Sequence, residues 1–204
     1  MERVAVLDFE TTGLSPDMGD RPTEIAIALV EGSRIVERFQ SLMNPGRRIP
    51  AFVTELTGIT NAMVAAAPMV GEVMREAARF VGSLPVVAHN ASFDRKFWVA
   101  ELQRLALDAD SPFACTMLLS RRLYPECTSH KLGVLVEALQ LPKPGRAHRA
   151  MVDAEMASHL WCRIHADVAR RWGVTQVNHA LLSRAQAAPR AQIERFFSQQ
   201  CQAA

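Results

Sequence analysis

The sequence predicts an α/β domain, a mixed β-sheet flanked by α-helices. Strand-like apolar runs crowd the first forty residues, and helical periodicity dominates from Val70 onward. With 204 residues, 49% of them hydrophobic, the chain can bury one sizeable core but is short of two ordinary domains. The expected organisation is therefore one domain over 1–172 followed by a C-terminal helical extension or tail over 173–204.

The first strand is read from Val4-Ala5-Val6-Leu7, running into Asp8. Ile25 to Val30 and Arg34 to Leu42, joined by Glu31-Gly32-Ser33, form a hairpin pattern. A turn-rich passage from Asn44-Pro45-Gly46 to Pro50 leads into a short helix over Phe52 to Leu56, stopped by Gly58. Val73, Met74, Ala77, Ala78 and Val81 then follow helical spacing, and Pro85-Val86-Val87-Ala88 reads as a buried strand. Further amphipathic helices are marked by Phe97, Trp98, Leu102 and Leu105, and by Leu132, Leu135, Val136 and Leu139. A last long helix starts near Arg149 and carries Val152, Met156, Leu160 and Ile164 at four-residue spacing. Beyond Trp172-Gly173 the pattern weakens, and both a pair of short docked helices and a mobile extension fit it.

No stretch approaches the roughly 18 apolar residues of a membrane span, and no cleavage signal follows the short apolar run before Asp8. A soluble, cytoplasmic protein without membrane contact is expected. Cys115, Cys127, Cys162 and Cys201 are scattered without a C-x-x-C pair, so free thiols are expected rather than a zinc site or a disulfide framework. A net charge of +2 does not announce a nucleic-acid binder. Bases outnumber acids from Arg121 onward, which by itself reads as solvated helix faces.

Three acidic places carry chemistry. Asp8 and Glu10 stand two residues apart on a strand, so both carboxylates share one face, and hard oxygen donors held that close suit Mg²⁺ or Mn²⁺. In His89-Asn90-Ala91-Ser92-Phe93-Asp94, Asp94 falls in the first turn of the helix that follows a buried strand, at the sheet edge where ligands gather. Ser92 there is a candidate helix cap. In His148-Arg149-Ala150-Met151-Val152-Asp153, Asp153 opens the final helix with His148 on the loop ahead of it. Each place alone also has an ordinary structural explanation.

Together, Asp8-Phe9-Glu10-Thr11-Thr12-Gly13, His89 to Asp94 and His148-x-x-x-x-Asp153 resemble, in order and spacing, the three motifs of the DEDDh (DnaQ-like) 3′-to-5′ exonuclease superfamily. That superfamily includes the epsilon proofreading subunit of bacterial DNA polymerase III, ribonuclease T and oligoribonuclease. The resemblance covers roughly the first 165 residues and implies a ribonuclease-H-like fold. It implies two divalent ions, Mg²⁺ or Mn²⁺, with Asp8, Glu10 and Asp153 on one, Asp8 bridging to the second, and Asp94 holding the second mostly through water. It makes His148 the general base and nucleoside 5′-monophosphates the products. Glu55-Leu56-Thr57-Gly58-Ile59-Thr60 is similar to a segment that in relatives lies against the terminal nucleotide.

Substrate contacts are accordingly expected from Thr11, Thr12, Gly13, Leu56, Ile59 and His89, with Arg146 and Arg149 on phosphates. The Gly13 turn would let a nucleotide approach closely because glycine lacks a side chain. The expected substrate is a nucleic-acid 3′ end, DNA favoured over RNA, with an RNA exonuclease as the alternative within enzymes and a non-catalytic binding module as the rival from another class. A DNA polymerase or a sliding clamp is a possible partner. Gln192-Ile193-Glu194-Arg195-Phe196-Phe197 is loosely similar to clamp-docking peptides but lacks an apolar residue at 195, and an amphipathic terminal helix is the simpler expectation.

Overall fold

The computed structural model describes residues 2–145 and 148–201, with only the backbone of Cys201. In chain order the elements are β1 (Val4–Thr11), β2 (Pro22–Glu31), β3 (Arg34–Leu42), α1 (Ala51–Thr57), α2 (Asn61–Ala65), α3 (Val70–Val81) and β4 (Val86–Ala88). There follow α4 (Ala91–Arg104), β5 (Phe113–Cys115), α5 (Thr116–Leu123), α6 (Leu132–Ala138), α7 (Ala150–Trp172), α8 (His179–Ala185) and α9 (Ile193–Cys201). Short 3-10 turns sit at Pro16–Met18 and Arg190–Gln192.

The sheet has five strands in the order β3-β2-β1-β4-β5. β1–β2 and β2–β3 pair antiparallel, whereas β1–β4 and β4–β5 pair parallel, so the sheet is mixed as expected. The β2–β3 turn places Gly32 and Ser33 at φ 52° and 69°, the left-handed pair that lets a two-residue hairpin match the strand twist. Alternation along β1 separates the two faces. Ala5, Leu7 and Phe9 pack with Val73, Met74, Phe97 and Trp98 of α3 and α4. Val4 and Val6 face the other way, onto Leu160, Trp161 and Ile164 of α7. Asp8 and Glu10 continue that second face by the period-two rule, so they point toward α7.

Small side chains let α7 come close there. Ala26, the register partner of Asp8, packs against Ala150 and Ala154 in the first two turns of α7. α1 is stopped by Gly58 in the left-handed conformation at φ 76°. At the start of α4 the cap is Asn90, itself left-handed at φ 66°, with no side-chain cap bond, so Ser92 is not the cap.

β1 runs farther than expected, through Asp8 and Glu10 to Thr11. β5, α5 and α2 were not legible from the sequence. A three-residue strand whose only strand partner is β4 has no room for a periodic signature, and parallel strands covered on both faces do not alternate.

The described residues after α7 pack back onto the domain as two short helices, α8 and α9. Leu181, Leu182, Ala185, Ile193 and Phe197 join the core formed with Leu160, Trp161 and Val168. The Gln186 side chain stands in for a sixth strand, accepting from Cys115 N–H at 2.5 Å and donating to the Phe113 carbonyl at 3.2 Å. That covers a free sheet edge. Residues Ile193–Cys201 form an amphipathic helix whose Ile193 and Phe197 are buried in the core. Cys115, Cys127 and Cys162 are free thiols, and the Cys201 side chain lies outside the described residues. Among the described residues no helix is long and apolar enough to cross a membrane.

Candidate active site

β1 outruns the three-residue β4, and the strand end left uncovered is where the acids meet. Asp8 and Glu10 project from β1 on the α7 face. Asp94, in the first turn of α4 and only 2% exposed, takes the Phe9 N–H with Oδ1 at 3.2 Å, between those two residues. Asp153, in the first turn of α7, accepts the His148 N–H at 2.8 Å. Ligand atoms of Glu10, His148 and Asp153 all lie within 4.8 Å of one another. His148 is exposed and left-handed at φ 65°, so its ring projects from a kinked loop at the mouth of this cluster.

The electrostatics are those of anions forced together. Burial, then repulsion from Asp94, Glu10, Asp153 and Glu24, lifts the Asp8 carboxyl well above the usual carboxylate range. Burial and repulsion from Asp153 and Glu24 push Glu10 up to about 8, with Arg149 working in the opposite sense. Burial raises Asp94 to about 7 despite the Phe9 hydrogen bond, and burial likewise raises Asp153. Near neutrality the chain must either protonate these groups or neutralise them with cations. Clustered hard oxygen donors beside one imidazole fit a divalent cation of the Mg²⁺ or Mn²⁺ kind.

One acid behaves differently, and sequence reasoning missed it. Glu24 is the register partner of Glu10 and is 0% exposed. Burial opposes its ionisation, yet hydrogen bonds from Arg149, the Ala150 N–H and Gln40 outweigh that and hold its carboxyl below the ordinary value. The available signal was a lone charge within the apolar run Ile25 to Val30 and its flank, Thr23-Glu24. Arg149, expected on a phosphate, is instead engaged with Glu24, and Arg146 lies outside the described residues.

The expected substrate contacts divide. Thr11 and Thr12 are buried, Thr11 Oγ1 donating to the Gly13 carbonyl at 2.6 Å and Thr12 Oγ1 accepting from Arg21 N–H at 3.1 Å. A Cβ on Gly13 would stand 2.4 Å from Asp20 Oδ2, so the missing side chain makes room for Asp20. Leu56 is 51% exposed and free to meet a base, and Phe52 is exposed one turn earlier on the same helix face. Ile59 is 0% exposed and packs with Ile49, Val53 and Val64, so it offers no surface to a ligand. His89 does not present a free ring either. Its Nε2 donates to the His130 carbonyl at 3.0 Å and its Nδ1 meets Thr116 Oγ1 at 2.9 Å, while burial lowers it to about 4. Both ring nitrogens therefore tie the end of β4 to α5 and the loop before α6. Leu14 and Met18, exposed on the turn after Gly13, were not anticipated, because periodicity carries no information about an irregular loop.

Comparison with known proteins agrees with this geometry. The family model RNase_T, described as exonuclease, matches residues 5–160. The chain is 38% identical over 172 residues to DNA polymerase III PolC-type of Bacillus subtilis, covering 83% of this chain and 12% of that protein. It is 38% identical over 164 residues to the 3′-5′ exonuclease DinG of the same organism, covering 80% of this chain and 18% of that one. The chain thus spans less than a fifth of the length of either relative. Exonuclease X, solved in complex with 5′-overhanging duplex DNA, superposes with a TM-score of 0.65 at 27% identity, covering 95% of this chain and 99% of that one. With its mixed sheet, its acidic motifs and these matches, the chain belongs to the exonuclease family, in the DEDDh (DnaQ-like) group.

Proposed function

We propose that the chain is a divalent-metal-dependent 3′-to-5′ exonuclease acting on DNA ends, single strands foremost, and releasing nucleoside 5′-monophosphates. The observation that carries this is the convergence of Glu10, His148 and Asp153 within 4.8 Å at the strand end that also holds Asp8 and Asp94. Asp8, Glu10, Asp94 and Asp153 would together hold two divalent ions, Mg²⁺ or Mn²⁺. Bound there, the cations supply a water of lowered pKa and charge stabilisation for both the entering and leaving oxygens. His148, exposed at the mouth, accepts the water proton as the new P–O bond forms. The bond from phosphorus to the 3′ oxygen of the preceding nucleotide breaks, and that oxygen takes a proton from solvent.

Substrate placement follows from the fold around this end. Leu42, the register partner of Glu24, packs on the cluster of Ile49, Val53, Ile59 and Val64 that seats α1. Phe52 and Leu56, exposed on α1, offer an apolar face suited to stacking a terminal base. The DNA polymerase III PolC-type relative and the exonuclease X complex with duplex DNA support DNA over RNA. A role beside a DNA polymerase, in the cytoplasm, belongs to the same proposal and is supported by the PolC relatives.

The test is digestion of 5′-end-labelled single-stranded DNA, duplex DNA with a mismatched 3′ end, and a short RNA, each with Mg²⁺ or Mn²⁺. A ladder shortening from the 3′ end, fastest on the single-stranded DNA, is the expected result. Immediate release of labelled mononucleotide would reverse the polarity, and fastest loss of the RNA would move the substrate to the alternative class.

A further inference from the structure

Glu24 is a fully buried carboxylate whose acceptors are all taken, and every partner but one lies on the segment that carries His148. Arg149 Nη2 and Nε donate to it at 2.8 and 3.2 Å, the Ala150 N–H at 3.1 Å and Gln40 Nε2 at 2.9 Å. Ala150 is the first residue of α7, whose own cap residue, Arg149, provides no side-chain cap bond. A strand residue thus caps the helix from outside it, satisfying an N–H that helix geometry leaves orphaned. On the other side of Arg149, His148 is left-handed at φ 65°, a conformation that a non-glycine residue keeps only when its surroundings impose it. Its N–H is tied forward to Asp153 at 2.8 Å, and the residue after it is clasped by Glu24. Two anchors therefore define a loop whose catalytic ring is otherwise in solvent.

We propose that Glu24 is a positioning residue of the exonuclease reaction, clasping Arg149 and Ala150 so that the His148 ring is held over the Glu10–Asp153 carboxylates. The proposal rests on the reading of His148 as proton acceptor. A buried ion pair adds little net stability, since desolvation offsets most of the attraction, but it does specify one geometry. The register pairing of Glu24 with Glu10 means that the clasp refers the His148 loop to the same strand pair that carries the metal-facing acids.

The experiment is a double-mutant cycle on single-turnover digestion of single-stranded DNA with saturating Mn²⁺, read alongside thermal melting. Glu24→Gln and Arg149→Gln are each expected to lower kcat by about 10- to 100-fold with KM for the strand little changed, the size of loss seen when a supporting partner of a reactive group is removed. Arg149→Lys should restore part of it. In a His148→Ala background both losses should vanish, because nothing remains to be positioned. Losses that multiply unchanged through that background, or wild-type kcat in Glu24→Gln and Arg149→Gln, would overturn the clasp. If Glu24→Gln fails to fold, Arg149→Gln, at a half-exposed side chain, carries the cycle alone. A His148→Ala enzyme with unchanged kcat would instead sink the assignment of His148, a result distinguishable from additivity in the cycle.

Discussion

The two ends of α7 treat a carboxylate in opposite ways. Asp153, in the first turn, stands among Asp8, Glu10 and Asp94, whose carboxyls burial and mutual repulsion raise, with Arg149 and Lys96 offsetting only part of the effect. Asp167, near the last turn, is only 2% exposed, against a half-buried Asp153, and is surrounded by Arg163, Arg170 and Arg171 and by the Tyr124 hydroxyl, which donates to it at 3.0 Å. Burial opposes its ionisation, yet the hydrogen bonds from Arg170, Arg163 and Tyr124 hold its carboxyl below the usual range. The Tyr124 hydroxyl is in turn raised, by burial first and then by the neighbouring Asp167 charge. The chain neutralises one site with its own residues, whereas the other is the one proposed to take divalent cations. The first arrangement ties α5 to α7; the second carries the proposed chemistry.

The sharpest way to break this comparison is to delete an acid at each end. Asp8→Ala or Asp153→Ala should reduce exonuclease turnover by at least about a thousandfold, since the whole charge-stabilising arrangement acts as a unit. Their melting temperatures should stay level or rise, because each deletion relieves repulsion. Substantial residual digestion in either variant would remove it from the ligand set. Asp167→Ala should do the reverse. Losing the partner of a buried tyrosine hydroxyl and of the arginine cluster should cost about 2 kcal/mol of folding stability, with turnover per folded molecule preserved. A melt indistinguishable from the parent would show that the arginine cluster contributes nothing.

Cation binding gives a second, smaller contrast. Mg²⁺ or Mn²⁺ should raise the melting temperature of the parent chain and of Asp167→Ala, and leave Asp8→Ala unmoved, since only a ligand of the folded state stabilises by mass action. An equal shift in all three would mean that the ions bind elsewhere. The smallest expected effect concerns histidines away from the acids. Burial lowers His89 and His165 to about 4, from an unfolded value near 6.5. Between those values the unfolded chain binds the extra protons, so their contribution is fully present above about 6.5 and is lost as pH falls toward 4. Without metal the raised carboxyls of Glu10 and Asp94 act in the opposite sense over the same range, gaining stability as pH falls, so the readout is the difference between two urea melts at pH 7 and pH 5: relative to the parent, His165→Phe should lose less, or gain more, on acidification. A pH dependence unchanged in that variant would remove His165 as a source.

Asp8, Glu10, Asp94, His148 and Asp153 were singled out because strand or helix position sets each in a local motif and the three motifs together resemble those of the exonuclease superfamily, and the structure brings Glu10, His148 and Asp153 within 4.8 Å. Period two puts Asp8 and Glu10 on one face, and a buried strand followed by a helix puts Asp94 at a sheet edge. Leu56 and Ile59 show where that reasoning stops. Three residues apart, both apolar and in one motif, they differ in that α1 ends between them at Gly58, so one chain direction faces solvent and the other enters the cluster with Val53 and Val64. The groups packed against His89 and Gly13, the His130 carbonyl and Asp20, lie 41 and 7 residues away in the chain and were not read from it.

What the sequence determined by itself is the α/β plan, the hairpin, the long final helix and the acids, since each depends on periodicity or on neighbours within a few residues. Tertiary structure alone decided the rest: β5 on the sheet edge, Gln186 closing that edge, the docking of α8 and α9, and the Glu24–Arg149 clasp. Each of these joins groups far apart in the chain through hydrogen bonding and burial, and such pairings leave no local pattern because their energy exists only once the partners have been brought together.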